Sequence, residues 1–91
     1  MKNYNLHSEQ PLDEVLDVVT QFGYKFQSVR DGVYTFTEGE EKTGNAIYLT
    51  VNINTKYINK QHMTYWGKWE VRNIPLPDDQ YFEIYQTILK F

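Results

Sequence analysis

Eight residues near the middle of the chain constrain the fold more than any others. Ile47-Tyr48-Leu49-Thr50-Val51-Asn52-Ile53-Asn54 alternates aliphatic side chains with polar or aromatic ones without a break. A period of two sends Ile47, Leu49, Val51 and Ile53 to one side of an extended strand and Tyr48, Thr50, Asn52 and Asn54 to the other. A strand with a single apolar face needs a cover, so the chain must supply a second layer.

Two segments can supply it. Leu12, Val15, Leu16, Val19 and Phe22 recur at helical spacing, with Asp13, Glu14, Asp17 and Gln21 between them. This predicts an amphipathic helix over about residues 10–22. Pro11 suits its first turn, Ser8 or Gln10 suits its cap, and Gly23 suits a left-handed stop. After Pro75 and Pro77, residues Tyr81, Ile84, Tyr85, Ile88 and Leu89 repeat in the same way. Asp78 is expected to cap this last helix.

Between the helices the period is two. Tyr24–Val29 and Val33–Thr37 flank Arg30-Asp31-Gly32 and predict a hairpin. A two-residue Asp31-Gly32 turn sets Phe26 against Thr37, mixing aromatic with polar. A three-residue loop with Gly32 in a bulge sets Phe26 against Phe36 and Ser28 against Tyr34, and gathers the rings on one face. The second register is expected. Polar, glycine-containing residues 38–45 are expected to form a loop. A fourth strand is expected over Met63–Arg72, with Met63, Tyr65, Trp69 and Val71 facing the core and Trp66, Lys68, Glu70 and Arg72 facing away. A connection around Ile58–His62 would then bring odd positions of strands three and four opposite each other, so that Asn54 lies across from Trp66, Asn52 from Lys68 and Tyr48 from Arg72. The expected architecture is therefore a single two-layer α+β domain over residues 1–91. It has an N-terminal helix, a four-stranded antiparallel sheet of two hairpins and a C-terminal helix. Leu16, Val19, Phe26, Leu49, Val51, Trp69, Ile84 and Ile88 make its core.

Composition narrows the function. The 91 residues include 41% hydrophobic side chains, too many for a disordered chain, and no cysteine, so a disulfide framework, a thiolate nucleophile and Cys-ligated zinc are excluded. Residues 1–7 lack a signal-peptide apolar run, and no stretch approaches the ~20 apolar residues of a membrane span. A cytoplasmic protein with no membrane partner is expected. His7 and His62 are the only imidazoles and Ser8 and Ser28 the only serines. No nucleophile, metal or phosphate-loop spacing surrounds them, so neither an enzyme nor a cofactor or metal is expected.

Charge is segregated. Residues 46–74 hold four cations against one carboxylate, whereas residues 1–45 hold eight carboxylates against four cations. The basic segment also carries outward aromatics. Tyr48, Asn52, Asn54, Lys56, Trp66, Lys68 and Arg72 are therefore the candidate partner-binding residues, because Trp, Tyr and Arg dominate binding surfaces. The acidic group Asp13, Glu14, Asp17, Glu40 and Glu41 is the other candidate face. The expected function is a small non-catalytic protein that acts by protein–protein contact. Lys far exceeds Arg, and Asn, Tyr and Ile abound. This vocabulary of A/T-rich codons suits a phage or mobile-element inhibitor of a host enzyme or defence complex, of anti-CRISPR type. Single-stranded nucleic-acid binding through the basic aromatic hairpin 46–74 is the alternative. A formal charge of −3 stands against it.

Overall fold

The computed structural model describes residues 10–38 and 45–91. Helix α1 runs over Asp13–Thr20, and strands β1 (Tyr24–Arg30), β2 (Val33–Glu38), β3 (Asn45–Asn52), β4 (Tyr57–Tyr65) and β5 (Trp69–Ile74) follow. Helix α2, Asp78–Ile88, closes the order. The strands form one antiparallel meander in the order β1-β2-β3-β4-β5. The α+β class stands, with five strands where four were expected.

Helix α1 buries Val15, Val18 and Val19 and exposes its acids. Asp13 and Glu14 lie in its first turn, against the positive end of the helix dipole. The cap differs from expectation. Leu12 holds the N-cap position without a side-chain bond, and its N–H donates to the Tyr34 hydroxyl at 2.9 Å. At the other end the chain turns at Gly23, whose φ of 96° is costly for any residue with a Cβ. In α2 the cap position is Pro77 and Asp78 is the first helical residue, so neither Asp78 nor any other side chain caps it. Ile84 and Ile88 are its buried residues.

The β1–β2 hairpin combines features of both registers that the sequence offers. Asp31 and Gly32 form a two-residue turn with φ of 54° and 78°. Phe26 nonetheless pairs with Phe36, because a bulge between Phe26 and Ser28 absorbs one residue. Ser28 consequently faces Thr35, and not Tyr34 as expected. Gln27, the bulged residue, donates through Nε2 to Thr37 Oγ1 at 3.1 Å. The parity change lets Tyr24, Val29, Tyr34 and Phe36 all enter the core.

The second half of the sheet departs further. Residues 53–56 make a four-residue turn, and Tyr57–Tyr65 is a strand where a connection was expected. Leu49 therefore pairs with Lys60 and Ile47 with His62, odd positions with even. This one-residue difference rotates the expected apolar set outward. Met63, Tyr65, Trp69 and Val71 line the sheet face away from the helices, while Lys60, His62, Thr64, Glu70 and Arg72 line the helix side. Trp66, Gly67 and Lys68 form a turn, with Gly67 at φ 100°, and split the expected fourth strand in two.

The buried apolar side chains come from α1, β1, β2, β3 and α2: Val15, Val18, Val19, Tyr24, Val29, Tyr34, Phe36, Leu49, Val51, Ile84 and Ile88. Leu16 and Phe26 pack against them from its margin. Trp69, expected in the core, is 57% exposed. The helices thus cover the first three strands, Ile58 at the start of β4 packs at the margin of the core, and the rest of the β4–β5 hairpin extends beyond them.

Candidate functional site

That uncovered hairpin is amphipathic. On its outer face Tyr65 and Trp69 form a cross-strand pair with ring centroids 5.1 Å apart and planes tilted by 53°. Val71 pairs with Met63 one step along the same face. At the tip, the Lys68 ammonium lies 5.2 Å from the Trp66 ring centroid, within cation–π range. Tyr65, Trp66, Trp69 and Val71 are each more than half exposed. On the helix side, His62, Thr64, Glu70 and Arg72 line an open depression.

The seven residues proposed from the sequence do not meet at one place. Tyr48 sits half-buried in mid-strand on the outer face, between Thr37 and Gln61. It does not face Arg72. Asn52 pairs with Tyr57, not Lys68, and its Oδ1 accepts the N–H groups of Asn54 and Thr55 at 2.9 and 3.1 Å. Asn54 lies in the β3–β4 turn and donates to the Asp31 carbonyl at 3.0 Å. Lys56, at φ 63°, donates to the main-chain oxygens of Ile53 and Phe91. These three side chains hold turns together at one end of the sheet. Trp66 and Lys68 lie at the opposite end of the nine-residue strand β4, some ~30 Å away at ~3.3 Å per residue. Arg72 faces the helix side, opposite His62. The register expected for the outer face is thus replaced, and the aromatic surface forms from Tyr65, Trp66, Trp69 and Val71 instead. Gly67 was the signal available for it, since a glycine inside a strand pattern marks a bulge or a turn.

Three of the five acidic candidates are described. Asp13, Glu14 and Asp17 are on α1, where Glu14 pairs with Lys90 at 3.1 Å. Glu40 and Glu41 lie outside the described residues. Ser28 stands on the outer face of β1 and His62 on the helix side of β4, so the two cannot share a catalytic arrangement. Among the described residues no group of three or more metal-ligating side chains is gathered, and no helix is long and apolar enough to cross a membrane.

No protein-family model matches the chain, and no curated protein or solved structure matches it.

Proposed function

We propose that this chain is a non-catalytic binding protein whose contact surface is the outer face and tip of the β4–β5 hairpin. One observation carries the reading. Three large aromatics and a valine, Tyr65, Trp66, Trp69 and Val71, stand more than half exposed at the tip and on the outer face of the β4–β5 hairpin. Contiguous exposed apolar surface on a small domain marks an interaction site, and Trp and Tyr are the residues that anchor protein interfaces. The A/T-rich residue vocabulary adds context: an inhibitor from a phage or mobile element that occupies a surface of a host enzyme or defence complex in the cytoplasm.

Single-stranded nucleic acid is the second reading, favoured by the Lys68–Trp66 pair beside the Tyr65–Trp69 rings, since stacking aromatics next to cations suit bases and phosphates. The net charge of −3 disfavours it, as does Arg72, which faces the other side of the sheet. Affinity capture from an A/T-rich bacterial lysate separates the two. The protein reading expects a nuclease-resistant partner that Trp66→Ala and Trp69→Ala each weaken by about 2 kcal/mol, as central anchors do. Recovery that nuclease abolishes, with affinity falling steeply as salt rises, supports nucleic acid. Capture indifferent to both substitutions overturns the hairpin as the site.

A further inference from the structure

The sheet has an open edge at β5, which pairs with β4 on one side and with none of the described residues on the other. Natural sheets blunt such edges with bulges, lysines or prolines. The opposite edge, β1, has the bulge at Gln27 and exposes Lys25 and Arg30. Strand β5 has no bulge and no proline between Trp69 and Ile74, and all but Ile74 are exposed. Its only charges are one acid and one base two residues apart on the same face, Glu70 and Arg72.

We propose that β5 pairs antiparallel with β5 of a second copy of this chain about a two-fold axis at Val71, joining two five-stranded sheets into one. Charge selects the register. A two-fold axis through an antiparallel pair passes through the centre of a residue pair, so a residue at the axis faces its own copy. With the axis at Glu70, the two Glu70 carboxylates oppose each other and Lys68 opposes Arg72. With the axis at Arg72, the two guanidinium groups oppose each other. With the axis at Val71, each Glu70 faces Arg72 of the second copy, Val71 faces Val71, and Trp69 faces Asn73. Cross-strand pairs of opposite charge stabilise a sheet and like pairs destabilise it, so the last of these three registers wins. An axis at Trp69 would set Glu70 against Lys68 but would place half of the pairing in the turn at 66–68. The axis is perpendicular to the sheet, so both helical layers fall on one side. Trp69 and Val71 of the two copies then adjoin on the other side, where they enlarge the aromatic platform. The contact is isologous and closes at two chains.

The test is solution mass by light scattering and sedimentation, from low-micromolar to near-millimolar protein. Wild type should shift with concentration from the 10.9 kDa monomer to twice that mass. Glu70→Arg and Arg72→Glu each replace attraction with repulsion at both symmetric pairs, and each should weaken the dimer by about tenfold or more. An equimolar mixture of the two variants brings opposite charges together again and should restore a mixed dimer. Far-UV circular dichroism of each variant verifies that it is folded. Restoration in the mixture supports the pairing, because a folding defect could not be repaired this way. A wild type that stays monomeric, single variants that dimerise like the parent, a mixture that fails to recover, or growth beyond two chains each overturns it.

Discussion

Gly32 shows how much one position can decide. It forms the β1–β2 turn with Asp31, both at positive φ, and this primed geometry matches the twist of the flanking strands. Its carbonyl also accepts the Ile53 N–H at 2.9 Å, and Asn54 Nδ2 reaches the neighbouring Asp31 carbonyl at 3.0 Å. The two turns at this end of the sheet are therefore laced to each other. A Cβ at Gly32 would lie 2.6 Å from Asn54 Nδ2 and 3.3 Å from Ile53 Cγ1. Gly32→Val should therefore cost about 2–3 kcal/mol, from left-handed strain plus the displaced hydrogen bond. Asn54→Ala alone should cost about 1 kcal/mol. Because Gly32→Val already dislodges Asn54, the double variant should lose less than the two single losses added together. Urea unfolding measures all three, and a Gly32→Val chain as stable as its parent would remove the primed turn from the account. Asn54, chosen from the sequence as a binding residue, has a structural task here.

At the scale of elements, the contrast between β3 and β5 is the sharpest feature. Leu49 is fully buried between Phe36 and Lys60, whereas Trp69 on β5 pairs with Tyr65 across the hairpin and is 57% exposed. Leu49→Ala should cost about 2–5 kcal/mol through lost transfer energy and a cavity. Trp69→Ala should cost under about 1 kcal/mol, the worth of one exposed cross-strand aromatic pair. Thermal melts in parallel check this, and a tryptophan variant that melts as low as the leucine variant would return Trp69 to the core. The sequence shows α1, α2, the first hairpin and β3 because each carries a one-faced pattern that another element covers. Strand β4 hides from the same method. Tyr-Ile-Asn-Lys-Gln-His-Met-Thr-Tyr has no clean alternation, and the face that it presents depends on the length of the turn before it. That turn closes on Lys56 in a left-handed conformation that composition does not advertise. One residue of turn length exchanges the polar and aromatic faces of everything from Tyr57 to Ile74, and with them the candidate site.

Across the whole molecule, the question is what joins the uncovered hairpin to the covered part of the sheet. On the helix side of β4 the Lys60 ammonium reaches past β3 to the Glu38 carboxylate at 2.9 Å and stands 5.2 Å from the Tyr24 ring centroid. The Tyr24 hydroxyl in turn donates to Gln80 Oε1 of α2 at 3.2 Å. One cation thus links β4 to β2, β1 and, through Tyr24, the second helix. Burial of Lys60 works against its charge, but the hydrogen bonds and charges of Tyr24 and Glu38 outweigh it and hold the ammonium above the usual lysine value of 10.5. A group whose pKa is higher in the folded chain than in the unfolded one binds its proton more tightly when folded. Its stabilising contribution is complete below the unfolded value, about 10.4, and fades as pH rises through the folded value. Lys60→Met keeps the aliphatic stem and removes the proton. The unfolding free energy of wild type should therefore exceed that of Lys60→Met from pH 7 to 9, and the gap should narrow as pH climbs past about 10.5. Urea titrations of both chains at each pH measure this difference. A gap that stays constant through that range would mean that the folded chain holds the Lys60 proton no more tightly than the unfolded one, and would overturn this account of the joint between the covered and uncovered halves of the sheet.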